Sequence, residues 1–219
     1  MTDGTAYSDV KLNLSAEATE LWSLLEKEID LGPRPDVGGT MRMQATVTGV
    51  VGEPRVKGRL DLESVALRIP NVLTKPLYAP AAVEFDARLS GGRVLTIRHM
   101  GLLFPPIKIA GAGTVHLSGD MDFTADVSSG TLSVKKLPAG IVLGPIKAGT
   151  LDAALHMEGQ MKERSSWRLS GLMRFDRGAI EVEGLNEPIR DAFVTLRFDQ
   201  EDIQIQRMAF PLGDGDLRV

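Results

Sequence analysis

Residues 83–89 have the sequence VEFDARL, in which apolar and charged side chains alternate at every position. Successive side chains of a β-strand lie on opposite faces of the sheet, so this pattern predicts a strand with one apolar and one polar face. The same period of two recurs along most of the chain, in segments 10–14, 41–47, 59–63, 107–117, 121–127, 151–157, 167–175, 194–199 and 203–206. Together these segments predict roughly a dozen strands.

Turn-forming residues separate the alternating segments. Gly, with Ser, Pro or an acidic residue, is concentrated at residues 52–54, 90–92, 118–120, 128–130 and 213–215. The short spacing between segments predicts antiparallel neighbours, and the fold class is therefore all-β and mostly antiparallel. Residues 135–149 interrupt the alternation with several Gly and Pro residues. We interpret them as a crossover or an irregular strand between two halves of the sheet.

One short amphipathic helix is predicted over residues 15–30. Ser15 is a suitable N-cap, and Gly32-Pro33 ends the helical pattern. The apolar residues at helical spacing are Leu21, Trp22, Leu25 and Ile29. We expect these side chains to cover one end or one edge of the sheet, because an open sheet edge exposes unpaired backbone groups. The acidic polar face of the helix disfavours a membrane-surface role.

The composition excludes several classes of protein. The chain has 219 residues, no cysteine and a formal net charge of −4. Disulfide scaffolds, cysteine-based metal sites and thiol catalysis are therefore excluded. The acidic balance and the 5% aromatic content disfavour nucleic-acid binding. No stretch reaches the ~18 uninterrupted apolar residues of a membrane span, and the N-terminus lacks the apolar core of a signal peptide.

No catalytic or metal-binding constellation is evident in the sequence. The histidines, His99, His116 and His156, are far apart and each falls on a predicted polar strand face. Residues 213–216, GDGD, lack the spaced acidic ligands of a calcium loop. We therefore predict no enzyme activity, no metal and no cofactor.

An internal duplication is indicated by landmarks that recur in the same order. Residues 58–63 align with 171–176, and residues 95–100 align with 203–208. We predict a first β-repeat over residues 39–134, preceded by the helix, and a second, truncated repeat over 149–219. The terminal residues 216–219 suggest a strand that stops in mid-pattern, so we expect residues 1–219 to be a fragment of a longer repeat protein. Stacked repeats build extended shapes.

A long series of strands with one apolar face is compatible with two architectures. In a closed β-sandwich or barrel the apolar faces meet in a core, whereas in an open curved sheet they line a hydrophobic groove. The repeat and the length favour the open groove, and the β-sandwich remains the alternative. The residues expected to line the groove are Leu60, Leu62, Val83, Phe85, Ile107, Ile109, Phe123, Leu155, Met173, Phe175, Leu196 and Phe198.

The chain resembles the AsmA-like and TamB-type proteins in three places. Residues 49–62, GVVGEPRVKGRLDL, are similar to a G-x-x-G-x-P-x-x-x-G-x-L-x-L phrase of that family. Residues 187–196, EPIRDAFVTL, followed by 202–205 and 213–215, resemble its P-I-x-D strand pair with a small glycine motif. Residues 9–12, which lead into the leucine-rich helix, also resemble a module of the family.

The resemblance implies an elongated, taco-like β-sheet with a hydrophobic groove. Members are anchored in the inner membrane, extend through the periplasm and carry phospholipids between the inner and outer membranes without metals or enzyme activity. The expected function is thus a periplasmic segment of a bridge-like lipid transport protein, which binds acyl chains and can associate end to end. The alternative is a structural or adhesion-type β-sandwich repeat without lipid cargo. An enzyme built on a β-helix or barrel is a third class, for which the sequence offers no site.

Overall fold

The computed structural model describes residues 6–28, 35–70, 72–105, 107–182, 184, 187–200, 202–212 and 215–218. These residues form one large, curved, unclosed antiparallel sheet together with one α-helix. The predicted all-β class is confirmed. Every strand described belongs to this one sheet, so the described part of the chain contains no second sheet facing it.

The strands are β1 (Ala6–Glu17), β2 (Asp36–Val50), β3 (Glu53–Asp61), β4 (Val65–Ile69), β5 (Leu73–Lys75), β6 (Ala82–Ser90), β7 (Val94–Phe104), β8 (Ile107–His116), β9 (Asp122–Ser128), β10 (Leu132–Ser133), β11 (Ile146–Gln160), β12 (Glu163–Ile180), β13 (Ile189–Gln200), β14 (Asp202–Leu212) and β15 (Gly215–Arg218). The α-helix α1 (Ala18–Glu28) follows β1. A 3-10 helix spans Val134–Lys136.

The strands are arranged almost in chain order. From one end the order is β1-β2-β3-β6-β7-β8-β9-β11-β12-β13-β14-β15, with every neighbouring pair antiparallel. The β4–β5 hairpin pairs with the first residues of β2, and β10 pairs with the start of β11. At ~4.8 Å per strand, this row is about 50 Å long.

The register gives the sheet one apolar and one polar face. In the first half, Leu60 pairs with Val83, Val83 pairs with Leu102 and Leu102 pairs with Ile109. In the second half, Gly171 pairs with Phe198 and Phe198 pairs with Ile203. Directly paired residues lie on the same side of an antiparallel sheet, so the apolar side chains of successive strands form one surface.

The helix begins later than the sequence predicted. Strand β1 continues through Ser15, which pairs with Arg42, to Glu17, which pairs with Thr40. The Thr40 hydroxyl also donates a hydrogen bond to the Glu17 carboxylate at 2.7 Å. The prediction of Ser15 as N-cap is therefore wrong, because cross-strand pairing with β2 holds this residue in extended backbone. The predicted last turn, at residues 29 and 30, lies outside the described residues.

The buried core is small and lies at one rim of the sheet. Its side chains, all at most 9% exposed, are those of Ala79, Ala81, Phe104, Leu132, Val134 and Ile141. The irregular segment 129–145 packs here after β9 and leads into β11. Because β9 and β11 are direct antiparallel neighbours, this segment is a long connection folded against the rim and not a crossover between distant strands.

Candidate functional site

The candidate site is the surface on which the apolar side chains lie, which we call the apolar face. Its members on the outer strands are the least covered: Leu14 in β1 is 55% exposed, and Ile203 and Ile205 in β14 are 65% and 51% exposed. In the central strands most of the apolar side chains are half-buried against one another. Within the described residues, the apolar face is thus a single layer without a second sheet above it.

The register places ten of the twelve predicted groove residues on this face: Leu60, Val83, Phe85, Ile109, Phe123, Leu155, Met173, Phe175, Leu196 and Phe198. Leu62 lies just beyond β3 and packs against the rim cluster. Ile107 begins β8 and its backbone pairs with Phe104, but its side chain lies outside the described set.

Further residues of the apolar face were not among those predicted to line the groove. They are Val10, Leu12, Leu14, Met41, Met43, Ala45, Val47, Val56, Ala87, Leu89, Leu95, Ile97, Met100, Leu102, Val115, Ala125, Val127, Leu151, Ala153, Met157, Leu169, Val194, Ile203, Ile205 and Met208. Most of them belong to the same alternating runs and could have been found by that signal. Met100 and Met208 could not, because the alternation breaks phase just before each of them.

Aromatic side chains on the apolar face lie over glycines of neighbouring backbone. A Cβ atom at Gly58 would come within 2.8 Å of the Phe85 ring, and one at Gly149 within 2.8 Å of the Phe175 ring. By register, Phe198 faces Gly171 and Phe123 faces Gly159. A ring that occupies the space above a glycine lies against the sheet and does not project far from it. The apolar surface therefore stays continuous across these large side chains.

Ion pairs on the polar face connect β3 to β6. Arg55 donates two hydrogen bonds to Asp86, from Nε at 2.8 Å and from a terminal nitrogen at 2.5 Å. The hydrogen bonds from Arg55 lower the pKa of the Asp86 carboxyl below its usual value. Arg59 binds Glu84 at 3.1 Å and Arg88 binds Glu53 at 2.6 Å. These pairs keep the charges on the side of the sheet opposite the apolar face.

A depression of about 500 Å³ lies at the centre of the polar face, over five adjacent strands. Its floor consists of small side chains, among them Ala110, Ala112 and Ala154, and its wall includes His99 and His156. His156 Nδ1 lies 2.8 Å from an oxygen of Asp126. Two histidines that are distant in sequence thus border the same depression, with β8 and β9 between them. The described residues nevertheless contain no group of three or more His, Asp or Glu side chains placed to hold a metal ion.

Helix α1 lies at the β1–β2 end of the sheet, where it contacts both strands. Leu21 and Trp22 are half-buried, and Trp22 lines a small cavity together with Pro35 and Val37 at the start of β2. The side chain of Leu25 and all of Ile29 lie outside the described residues. The helix is thus at one end of the row of strands. Only half of its predicted apolar stripe lies within the described residues, so the covering of this sheet edge by the stripe stays a prediction.

Two further findings concern the chain as a whole, one on membrane-spanning helices and one on similarity to known proteins. Within the described residues, no helix combines the length and apolar character needed to cross a bilayer. No protein-family model, curated protein or solved structure matches this chain.

Proposed function

We propose that this chain is a segment of a bridge-like lipid transport protein that binds the acyl chains of phospholipids on its apolar face. The observation that carries the proposal is the continuous apolar surface from β1 to β14, which no second sheet of the described residues covers. Soluble proteins rarely leave apolar patches larger than a few hundred Å² without a partner. An acyl chain is a suitable partner because each buried methylene contributes ~0.8 kcal/mol.

The chemistry of the face suits a flexible apolar ligand. Six of the chain's 9 methionines lie on it: Met41, Met43, Met100, Met157, Met173 and Met208. Methionine side chains are unbranched and polarizable, so they adapt to ligands of irregular shape. Charged groups occupy the opposite face, which leaves non-directional contacts as the means of binding.

A charge on the apolar face should block this binding. We expect Phe198→Asp to weaken uptake of a fluorescent phospholipid by delipidated protein at least tenfold, because a hydrated carboxylate would lie in the path of the acyl chain. The matched control is Phe193→Asp in the same strand, since Phe193 lies on the polar face beneath the Arg207 guanidinium. It should bind the lipid as the parent protein does.

Three results would contradict the proposal. One is a lipid-free mass spectrum of gently purified protein combined with no uptake of added phospholipid. Another is equal loss of binding in both variants. A third is global unfolding of Phe198→Asp alone, because unfolding is the expected effect of a charge in a closed sandwich core.

The setting of this function rests on the resemblance to AsmA-like and TamB-type proteins. In that setting the chain lies in the periplasm, its parent is anchored in the inner membrane, and phospholipids pass between the inner and outer membranes. The alternative, a structural or adhesion-type β-sandwich repeat, would need a second sheet in addition to the described strands, which form one sheet.

A further inference from the structure

One rim of the sheet differs in charge from the rest of the molecule. Residues 65–82 and 127–151 contain five lysines and arginines but no aspartate or glutamate, in a chain with 29 acidic residues. The two segments are far apart in sequence and are both composed mainly of apolar and small polar residues. Lys75 is buried, and the other four, Arg68, Lys135, Lys136 and Lys147, are exposed, so this part of the surface carries basic side chains and no acidic ones of its own.

The fold joins the two segments into one surface, which we call the basic rim. Thr74 and Val142 exchange backbone hydrogen bonds of 2.9 and 3.0 Å. Beneath them, Ala79 from the first segment and Val134 from the second belong to the same buried cluster. The rim is therefore a packed unit and not two independent loops.

The rim exposes both apolar and basic side chains to solvent. Val72, Leu77, Tyr78 and Val142 are 58%, 48%, 74% and 41% exposed. Lys135 and Lys136, in the 3-10 helix, are also exposed. Lys147 binds Glu181 at 2.9 Å, Asp36 of β2 pairs with Arg68 of β4, and Asp61 and Glu63 act electrostatically on Lys75. Lys135 and Lys136 are therefore the rim residues on which the charge argument depends.

Tyr78, whose ring is exposed, has a strained backbone conformation. Tyr78 has φ +63, which a bulky side chain rarely adopts. Its N–H donates to the Glu63 carbonyl at 2.8 Å. The buried Lys75 ammonium donates to the carbonyls of Val65 at 2.5 Å and Pro76 at 3.1 Å, and so fixes the loop from inside. The fold thus keeps a strained backbone conformation at a residue whose aromatic ring is exposed to solvent.

We propose that the basic rim docks on the surface of an anionic lipid bilayer. Tyr78 would lie at the level of the headgroups, where amphipathic rings are favoured, and the exposed Val72 and Val142 of the same rim would contact the apolar boundary of the bilayer. Lys135 and Lys136 would contact anionic headgroups. The combination of exposed apolar tips with basic residues fits a bilayer better than a nucleic acid, which would offer no environment for the two valines.

The rim also adjoins the apolar face. Leu102, Ile109 and Leu151 belong to that face, and they pack against the rim cluster. A bilayer docked here would therefore contact the molecule next to one end of the central strands. Docking itself does not depend on the proposed acyl-chain binding and is measured separately.

The first test uses flotation of residues 1–219 with vesicles of 30% phosphatidylglycerol in phosphatidylcholine. We expect binding that weakens with salt, and only weak binding to pure phosphatidylcholine. Lys135→Gln/Lys136→Gln should weaken binding at least tenfold, since each lysine near an anionic surface contributes about fivefold. The control is Lys11→Gln/Lys57→Gln, which removes the same charge from exposed strand positions away from the rim.

The second test uses Tyr78→Asn, because asparagine tolerates the left-handed region better than tyrosine. We expect unchanged or greater resistance to urea together with several-fold weaker vesicle binding. Three results overturn the proposal. The first is that the parent protein does not bind anionic vesicles, and the second is that Lys135→Gln/Lys136→Gln binds them as well as Lys11→Gln/Lys57→Gln does. The third is that Lys135→Gln/Lys136→Gln loses vesicle binding while Tyr78→Asn keeps it in full. The last result, with equal affinity for heparin, would indicate a polyanionic partner. Uptake of fluorescent phospholipid by these variants reports on the apolar face independently.

Discussion

At the scale of single residues, close approach of side chains to glycine backbone shapes the apolar face. A Cβ atom added at Gly58 would come within 2.6 Å of the Gln44 carbonyl oxygen and 2.8 Å of both the Ala45 Cβ and the Phe85 ring. Two of these three neighbours cannot move without moving β2 itself. The absence of a side chain at this position is therefore a packing requirement of the sheet.

Gly58→Ala should lower the free energy of unfolding by about 1–3 kcal/mol, because overpacking forces backbone and ring to shift. Urea denaturation measures the change. Gly38→Ala is the matched control, since nothing lies within 4 Å of a Cβ built there. The control should be neutral or slightly stabilising through the reduced freedom of the unfolded chain. Equal effects of the two substitutions would contradict the close approach of β2 and the Phe85 ring to Gly58.

The pair of Arg55 and Asp86 should make stability depend on acid pH. The Asp86 pKa is lowered in the folded state, chiefly by hydrogen bonds from Arg55, so the folded chain releases this proton more readily than the unfolded chain. The contribution is fully present above the pKa of the unfolded carboxyl and is lost as pH falls through the folded pKa. A double-mutant cycle with Arg55→Gln and Asp86→Asn should show coupling at pH 7 that fades in acid. Coupling that persists at the acid limit would contradict this assignment.

At the scale of the strands, bulges keep the apolar face continuous where the sequence changes phase. In β7, Ile97 pairs with Gly113 and Met100 pairs with Gly111, so β7 has one residue more than β8 between these pairs. The same segment has Asp86 opposite His99 and Ala87 opposite Ile97, which leaves Arg98 as the extra residue. The bulge returns Met100 to the apolar side.

A comparable irregularity occurs in the β13–β14 hairpin. There Leu196 pairs with Ile205 while Thr195 pairs with Arg207, so β14 contains the extra residue. In the sequence alignment of residues 95–100 with 203–208, Arg98 is matched with Gln206. These are the extra residues of β7 and β14 in the two irregularities. The duplication over 39–134 and 149–219 stays a prediction.

Deletion of Arg98 should therefore be tolerated. Without this residue, Ile97, His99 and Met100 alternate regularly and keep their present faces, so the ladder becomes regular on both sides. Deletion of Thr96 should be strongly destabilising, because Ile97 would move to the polar face and Arg98 to the apolar face. Thermal unfolding of the two deletion variants compares them directly. Similar melting temperatures would mean that the bulge can migrate and that the register is weakly specified.

At the scale of the whole molecule, the shape follows from a single sheet that does not close. A compact globule of 219 residues has a radius of gyration of roughly 17 Å. We expect small-angle scattering to give a clearly larger value, since the row of strands is about 50 Å long and one layer thick. The measurement should be extrapolated to zero concentration, because the outer edges of β1 and β15 invite the end-to-end association predicted for this chain. A value near 17 Å would support a closed sandwich.

Much of this architecture was determined by local sequence. Strict alternation in residues 83–89 and in the other strands assigned the strands and their apolar side chains, because the period of a strand is set by backbone geometry alone. Ten of the predicted groove residues lie on one face for this reason. Ser15 was misplaced because its capping propensity is a local preference, which ten paired positions between β1 and β2 override.

Only the tertiary structure decided whether the apolar faces meet or stay open. The same alternation serves a sandwich and a single sheet, so the choice depends on strand order and on which surfaces find a partner. Long-range packing also determined that residues 129–145 fold against the rim and that Thr74 lies beside Val142. The absence of acidic residues from two separate segments is visible in the sequence. Their meeting in one basic surface is not, because no local interaction encodes contacts between residues so far apart.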